Sequence, residues 1–385
     1  MPWCAQKCPY CDFNSHQSSS FDEAAYITAL IEDLTQDLPL VWGRSINSIF
    51  IGGGTPSLFS AASMQQLMSQ LRACLNFSPA IEITLEANPG SADEANFEGY
   101  LEAGINRLSI GVQSFENASL KALGRIHDSH QALSAFNTAR RVGFENINLD
   151  LMFALPEQTL KLAENDILQA IELQPDHISH YQLTIEPNTR FHQHTPAQLP
   201  DDDLSWDMQL HCQDLLARHG YQQYEISAYS QVQRQSRHNL NYWQFGDYLG
   251  IGAGAHGKIT LPAENRVIRR QRLRQPQQYL NSAAQNRVSQ QQALSAQDLI
   301  FEFMLNALRL TQGFDLSLFE QHSGMLSSVL HATLQQAEQL GLIEKQQNHL
   351  RPSELGLRFH NDLQALFLDV QITPTKILHL GKFSQ

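Results

Sequence analysis

The sequence is poor in charged residues, and most of the charge that it carries is negative. Only 17% of its 385 residues are charged, and 26 Lys and Arg stand against 39 Asp and Glu, which gives a formal net charge of -13. Because a phosphate backbone or an anionic membrane attracts basic surfaces, this balance argues against nucleic acid and against a lipid surface as direct partners.

Long hydrophobic runs and an even set of cysteines are also missing. No stretch of 18 apolar residues occurs, and the start, MPWC, has neither the basic nor the apolar region of a secretory leader. The five cysteines are an odd number, and Cys74 and Cys212 stand alone on predicted helices, which does not suit a secreted disulfide framework. We therefore expect a cytoplasmic protein.

A short apolar strand, a polar loop and an amphipathic helix alternate through the first two-thirds of the sequence. This alternation predicts βαβ units and a parallel sheet with right-handed crossovers. The predicted strands are 46–51, 81–86, 107–112, 146–152 and 177–184. The predicted helices are 21–38, 61–75, 92–102, 129–141 and 160–173. Polar residues end most of the strands, and the carboxyl edge of such a sheet is where ligands bind.

The last third of the sequence changes character. A helix after residue 198 ends at Gly220, and the segment 221–230, YQQYEISAYS, predicts one further strand. A glutamine-rich stretch at 271–297 predicts a domain boundary, and the helices and short ribbon beyond it indicate a winged-helix-like module. Residues 296–385 hold six Lys and Arg against nine Asp and Glu, so we expect packing or partner docking there rather than DNA binding.

Three of the five cysteines lie within eight residues, at Cys4, Cys8 and Cys11. One interpretation is a structural zinc site with His16 as the fourth ligand, because the spacing C-x3-C-x2-C-x4-H is near that of zinc motifs. The other is a [4Fe–4S] cluster in which each thiolate binds one iron. The fourth iron would then bind the amino and carboxylate groups of S-adenosylmethionine (SAM), a cofactor that supplies radical chemistry. The cysteines favour the cluster but leave both interpretations open.

A glycine-rich turn and four polar residues follow the predicted strands. The turn after strand 46–51 consists of Gly52, Gly53 and Gly54, and glycine permits the close approach of a ligand to the backbone. The polar residues at or just past successive strand ends are Glu86, Gln113, Arg125 and Asp150. A carboxylate such as Glu86 can hold a ribose hydroxyl or an ammonium group, and Arg125 can hold a carboxylate. Taken singly, each residue is equally typical of an ordinary turn or loop.

The cysteine motif, with Tyr10 before its last cysteine and GGGTP after the next strand, resembles the radical SAM superfamily. The stretches PYCDFNS, FIGGGTPS, RLSIGVQSF, NLDLMFALPEQT and HISHYQLTIEPNT, in this order, are similar to the family of oxygen-independent coproporphyrinogen III oxidases and their heme-chaperone paralogues. The resemblance covers nearly the whole chain. It implies an α/β fold, a radical SAM partial (β/α)6 barrel with a C-terminal helical, winged-helix-like domain.

The resemblance also implies the cofactor-binding residues and the domain limits. It assigns Cys4, Cys8 and Cys11 to a [4Fe–4S] cluster. It assigns to SAM the residues Tyr10, Gly53, Gly54, Thr55, Glu86, Gln113, Arg125 and Asp150. The domains are the partial barrel at 1–230, a heme-motif segment with a glutamine-rich linker at 231–295, and the C-terminal domain at 296–385. The family's first strand precedes the Pro-Trp-Cys segment, so either residues upstream of Met1 form that edge strand or this barrel lacks it.

Two local features favour the chaperone branch over the oxidases. The oxidases carry a long N-terminal extension and a further cysteine two residues after the third, where this sequence has Phe13. The chaperones instead carry H-N-x-x-Y-W, which matches HNLNYW here. The residues that this motif assigns to heme are His238, Asn239, Tyr242 and Trp243. An imidazole can bind heme iron and aromatic rings can stack on a macrocycle, although such a histidine is otherwise typical of a helix cap.

Five arginines between residues 266 and 274, in RVIRRQRLR, allow two interpretations. They suit porphyrin propionates, because Arg binds carboxylates in a bidentate fashion. They equally suit a strip of salt bridges against the acidic body of the protein.

The sequence as a whole predicts a heme chaperone that binds a [4Fe–4S] cluster, SAM and heme and passes heme to hemoproteins. Its expected partners are heme, heme-accepting proteins and an electron donor for the cluster, with membrane contact only through a recipient. The protein is expected to be a monomer or a dimer. The alternatives are a coproporphyrinogen III dehydrogenase and a zinc-stabilised α/β scaffold without redox function.

Overall fold

The structure is a computed structural model that describes residues 1–91 and 93–370. The strands of the first two-thirds are β1 (Trp3–Cys4), β2 (His16–Gln17), β3 (Ser45–Ile51), β4 (Asn76–Ala87), β5 (Arg107–Gln113), β6 (Ile147–Phe153), β7 (His177–Gln182), β8 (Gln222–Glu225) and β9 (Ala228–Ser230). The helices there are α1 (Glu23–Val41), α2 (Ala61–Cys74), α3 (Glu94–Glu102), α4 (Asn117–Ala122), α5 (Ser129–Val142), α6 (Leu160–Leu173), α7 (Arg190–Gln193), α8 (Asp202–Arg218) and α9 (Arg237–Trp243).

Local sequence signals explain where the main helices begin and end. A short polar side chain accepts a backbone N–H group at the start of each one and thereby stabilises its first turn. These N-cap residues are Asp22, Ser60, Asp93, Asp128, Thr159 and Asp201. At the other end of α5, Gly143 adopts a left-handed conformation with φ of 114°, which suits glycine at a helix end. The five predicted helices are confirmed, with α3 beginning after residue 92.

Strands β3 to β7 form a parallel sheet, to which the antiparallel strands β9 and β8 add one edge, in the order β3-β4-β5-β6-β7-β9-β8. The sheet is the curled half-barrel that the fold class predicts, and its five predicted strands are confirmed. The prediction of a single strand at 221–230 is wrong, because residues 226–227 turn the chain and produce the hairpin of β8 and β9.

The segment that carries Cys4 lies beside the turn that follows β3. The Gly54 N–H donates to the Met1 carbonyl and the Thr55 N–H donates to the Trp3 carbonyl, each at 2.7 Å. β1 therefore lies at the β3 edge of the half-barrel, next to the predicted site.

A second, three-stranded antiparallel sheet follows the half-barrel. It consists of β10 (His256–Leu261), β11 (Arg266–Arg272) and β12 (Val288–Ala293), and the helix α10 (Pro276–Asn281) connects its last two strands. The glutamine-rich stretch forms α10 and β12, so it is folded here rather than an extended linker. The domain boundary near residue 295 stays a prediction.

The C-terminal part combines helices with a small antiparallel sheet of order β13-β15-β14. Its strands are β13 (Phe314–Asp315), β14 (Ile343–Gln346) and β15 (His349–Pro352). Its helices are α11 (Ala296–Ala307), α12 (Leu316–Ser323), α13 (His331–Gln339), α14 (Glu354–Arg358) and α15 (His360–Ala365). This order agrees with a winged-helix-like module, of which residues 371–385 lie outside the described residues. No helix within 1–91 and 93–370 is long and apolar enough to cross a membrane.

The two faces of the half-barrel differ in polarity. Along β4, the apolar side chains of Ile83 and Leu85 belong to the core beneath the helices. The alternate residues Glu82, Thr84 and Glu86 are on the opposite, inner face, because successive side chains of a strand point to opposite sides. Parallel strands that are covered on both faces by the rest of the protein are apolar along their whole length. The polar inner face of this sheet therefore indicates a functional surface.

A buried ion cluster attaches the second sheet to the half-barrel. Arg272 on β11 is 1% exposed, and its guanidinium lies 2.8 Å from Asp33 Oδ1 and 2.6 Å from Asp37 Oδ2, both on α1. The Tyr279 hydroxyl donates to Asp33 at 2.7 Å. Asp33 thus depends on Arg272 for its countercharge, whereas Asp37 also pairs with Arg270.

Most of the arginines in the segment 266–274 bind carboxylates of the protein itself. The pairs are Arg266 with Glu264, Arg269 with Glu302, Arg270 with Asp37, and Arg272 with Asp33 and Asp37. The structure therefore favours the salt-bridge interpretation of this segment over propionate binding.

The Arg272→Met substitution is expected to destabilise the protein by about 3–5 kcal/mol, because it leaves the buried Asp33 carboxylate without a cation and leaves Asp37 with Arg270 alone. The free energy of unfolding is measured by urea titration, together with that of Arg266→Met on the same strand. Arg266 forms an exposed ion pair, so its replacement should cost no more than about 1 kcal/mol. Equal losses in the two variants would contradict the role of Arg272.

Candidate functional site

The three clustered cysteines lie at the carboxyl edge of the half-barrel. Cys4 ends β1 and is buried, whereas Cys8 and Cys11 lie in the following loop and are partly exposed. The Thr55 hydroxyl, from the turn after β3, donates to Cys4 Sγ at 3.3 Å. Cys11 Sγ lies 3.8 Å from the hydroxyl of Ser15. Burial raises the pKa of the Cys4 and Cys11 thiols. A positively charged partner bound to these sulfurs would favour the thiolate form.

The zinc interpretation requires four side chains, the three cysteines among them, that bind one metal ion. Across residues 1–91 and 93–370, no group of three or more His, Cys, Asp or Glu side chains is arranged to hold one metal ion. His16 Nε2, which the zinc interpretation requires as a ligand, lies 3.3 Å from Asn14 Oδ1.

Arg125 joins the cysteine loop to the sheet. Its Nη1 lies 3.5 Å from both Cys8 Sγ and the Tyr10 hydroxyl, and its Nη2 donates to the Gly111 carbonyl at 2.9 Å. The buried Nε of Arg125 has no hydrogen-bond partner in the described part of the chain. A pocket beside it is also lined by Cys8 and Thr55. A guanidinium with an unused N–H in such a pocket suits a carboxylate ligand.

Two carboxylates, Glu86 at the end of β4 and Asp150 on β6, occupy the same edge. Glu86 Oε2 accepts the Gly53 N–H at 3.0 Å. Asp150 accepts the Ser109 hydroxyl at 3.0 Å and the Asn148 amide at 2.8 Å. Burial, with the charge of Asp150, raises the pKa of Glu86 to about 7, and burial also raises the pKa of Asp150. Both groups therefore gain from a ligand that brings an ammonium group or hydroxyl donors.

Gln113 ends β5 in a left-handed conformation with φ of 70°. The register between β5 and β6 shifts between Ile110 and Gln113, and such a bulge redirects a side chain. Gln113 Oε1 consequently accepts the hydroxyl hydrogen of Tyr181 on β7 at 2.9 Å. The sequence analysis missed Tyr181. The signal was present, because Ser179 and Tyr181 are alternate polar residues within an otherwise buried strand.

The glycine turn contacts the protein's own backbone. A Cβ atom on Gly53 would lie 2.7 Å from the Met1 carbonyl oxygen, and one on Gly54 would lie 2.4 Å from that of Trp3. Glycine is thus needed here so that the strand with Cys4 can approach. The assignment of these two glycines to SAM stays a prediction.

The helix α9, with the motif HNLNYW, packs against β3 and the start of β4. Glu82 accepts the backbone N–H groups of Arg237 and His238, each at 3.0 Å, and so caps the helix. The His238 ring stacks on Phe50 of β3 with centroids 4.5 Å apart and contacts Tyr242 edge-on at 4.8 Å. Burial lowers the pKa of His238 to about 4, so the ring is neutral at pH 7 and retains a nitrogen lone pair.

Asn239 and Trp243, the other two residues of the motif, have different neighbours from His238. The Arg309 guanidinium lies over the Trp243 ring, 4.3 Å from its centroid, and Trp243 packs on the C-terminal core. The Asn239 backbone N–H donates to the hydroxyl of Ser236 at 3.3 Å, in the first turn of α9. The structure therefore brings the His238 and Tyr242 rings together, whereas Trp243 packs on the C-terminal core.

Known proteins agree with this fold. The family model Radical SAM superfamily matches residues 1–170, and the model HemN C-terminal domain matches residues 294–359. Among solved structures, coproporphyrinogen III oxidase (HemN) from Escherichia coli aligns with a TM-score of 0.81 over 95% of this chain and 88% of that chain. Its sequence identity is 22%, so the match establishes the fold alone.

Curated relatives are much closer in sequence. The heme chaperone HemW of Haemophilus influenzae is 46% identical to this chain, and that of Escherichia coli is 45% identical. Each alignment covers 96% of this chain and 96% of the relative. Membership of the radical SAM superfamily implies a [4Fe–4S] cluster and SAM. The chain belongs to the HemW family within this superfamily.

Proposed function

We propose that this chain is a heme chaperone that binds heme beside α9 and passes it to heme-accepting proteins. The strongest structural support is His238, a neutral, half-buried imidazole next to Tyr242 in the motif HNLNYW. A neutral imidazole is the form that binds heme iron. Relatives named heme chaperone, at 45–46% identity over nearly the whole chain, support the same function.

The proposal places a [4Fe–4S] cluster and SAM at the carboxyl edge of the half-barrel. Cys4, Cys8 and Cys11 would each hold one iron, and, when bound, the cluster and SAM supply one-electron and radical chemistry. Arg125 would bind the SAM carboxylate through its unused Nε–H, and Glu86 the ammonium group. The hydrogen bonds from Thr55 and Arg125 to the thiols orient the cysteine loop.

The remaining SAM assignments follow from position. Asp150 would accept ribose hydroxyls, and Gln113 and Tyr10 would line the same edge of the sheet. Gly53, Gly54 and Thr55 would keep the strand with Cys4 next to this edge. Trp243 of the heme motif would support α9 from the C-terminal side, because its ring lies under Arg309, and Asn239 would belong to the capped first turn that carries His238.

Phe13 supports a carrier over a decarboxylating enzyme. It stands where the oxidases have a fourth cysteine of the motif, and its side chain is 60% exposed. Controlled radical chemistry on a porphyrinogen requires a closed site, whereas binding and release of heme do not.

The proposal further includes an electron donor for the cluster, a cytoplasmic location, a monomer or dimer, and membrane contact through a heme recipient.

Replacement of Cys4, Cys8 or Cys11 by Ser is expected to leave less than about half of the wild-type iron after anaerobic reconstitution, because each thiolate holds its own iron. Iron and acid-labile sulfide assays measure the loss. Cys74→Ser and Cys212→Ser are the matched controls and should retain a full cluster. Four irons in Cys8→Ser would contradict the assignment.

SAM affinity is expected to rise between about pH 5.5 and pH 7.5 and then level off. Glu86 has a raised pKa and is protonated at the lower pH, and only the carboxylate attracts the SAM ammonium group. Calorimetric titration of the reconstituted protein measures the affinity. In Glu86→Gln the slope should vanish and binding should weaken about tenfold. The exposed Glu94→Gln is the control, and a wild-type slope in Glu86→Gln would refute the role of Glu86.

His238→Ala is expected to weaken heme binding about ten- to a hundredfold, through loss of an axial ligand or a stacking neighbour. Spectrophotometric titration of the Soret band measures the affinity, with the exposed His219→Ala as control. Unchanged affinity in His238→Ala would move the heme site elsewhere. Catalytic conversion of coproporphyrinogen III to protoporphyrinogen IX by the wild type would overturn the chaperone proposal in favour of the dehydrogenase.

A further inference from the structure

A chain of buried hydrogen bonds begins at the Asp150 carboxylate and crosses the inner face of the half-barrel. The Asn148 amide donates to Asp150 at 2.8 Å. Asn148 Oδ1 lies 2.6 Å from His177 Nδ1, and His177 Nε2 lies 2.8 Å from the Tyr224 hydroxyl. Asn148, His177 and Tyr224 are at most 2% exposed. Three strands, β6, β7 and β8, are therefore linked by polar side chains that the core would otherwise exclude.

The same chain ends on the first turn of α9. The Tyr224 oxygen accepts the Ser236 N–H at 3.4 Å. Ser236 caps α9, since its hydroxyl accepts the Asn239 N–H at 3.3 Å. His238 lies between these two residues, so Tyr224 holds the turn that carries the proposed heme ligand.

The hydrogen bonds all point the same way. The amide oxygen of Asn148 can only accept, so His177 must carry its proton on Nδ1. Burial lowers the pKa of His177 well below its ordinary value, and the neutral ring has a single proton. Nε2 therefore accepts from the Tyr224 hydroxyl. Each donor faces Asp150, and hydrogen bonds aligned in this manner strengthen one another.

We propose that His177 and Tyr224 are positioning residues that couple occupancy of the SAM site at Asp150 to the heme affinity of α9. This inference rests on the proposed function. A ligand hydroxyl on Asp150 fixes the carboxylate, and Asn148, His177 and Tyr224 then become fixed in turn. Because α9 is already ordered when heme arrives, heme binds more tightly. Thermodynamic linkage requires that heme tighten SAM binding by the same factor.

The test compares heme affinity of the anaerobically reconstituted protein with and without saturating SAM, by Soret titration. In the wild type, SAM should lower the heme Kd about two- to tenfold, the range that one buried hydrogen bond provides. Tyr224→Phe keeps the ring and removes the hydroxyl. Each ligand alone should still bind to this variant, but the ratio of the two heme Kd values should fall to about one. A purely structural role would change stability or both affinities and leave the ratio intact.

Tyr221→Phe is the matched control, because its buried hydroxyl donates to the Pro175 carbonyl at 2.8 Å, outside the chain. It should retain the wild-type ratio. Two further variants, His177→Gln and His177→Leu, test the same coupling in case Tyr224→Phe does not fold. Gln keeps one donor and one acceptor and should preserve part of the coupling, whereas Leu should abolish it.

The outcomes separate the inference from the function on which it rests. A wild type that binds heme and SAM independently of each other overturns the coupling and leaves the chaperone proposal standing. A wild-type ratio in Tyr224→Phe or in His177→Leu also overturns it. A wild type that binds no heme contradicts the proposed function itself.

Discussion

The polar inner face of the half-barrel imposes the constraint on which the rest of the structure depends. A buried polar group is costly unless it is hydrogen-bonded, and this face contains carboxylates, amides and imidazoles in one sheet. Glu82 meets the requirement by capping α9, and Asp150 meets it through Ser109 and Asn148. The helix with the heme motif is therefore placed by the same polar surface that forms the cofactor site.

At the carboxyl edge the constraint is only partly met, and this is where ligands are expected. Arg125 retains an unpaired buried N–H, and the pKa of Glu86 is raised to about 7 because burial and Asp150 oppose its charge. Groups of this kind are stabilised by a ligand of opposite charge. Away from the edge, in contrast, Arg272 forms ion pairs with the buried Asp33 and Asp37 and has a structural role.

The strands and main helices were predictable because their signals are local. Alternation of strand and helix, N-cap residues such as Asp22 and Ser60, and polar residues at strand ends all occur within short stretches of sequence. The hairpin of β8 and β9 was missed because residues 226–227, Ile and Ser, lack the glycine, proline or asparagine that usually mark a turn. The alternation of polar and apolar residues in segment 221–230 and the length of this segment are both typical of a single strand.

The sequence by itself determined the cysteine spacing, the order of the half-barrel strands and the edge on which Glu86, Arg125 and Asp150 lie. Only the tertiary structure decided which groups share contacts. It paired most of the arginines of 266–274 with carboxylates, added Tyr181 to the site, and connected Asp150 to the first turn of α9 through Tyr224. The physical reason is that such contacts join residues far apart in the chain, and their geometry depends on how the sheet curls and on how the helices pack against it.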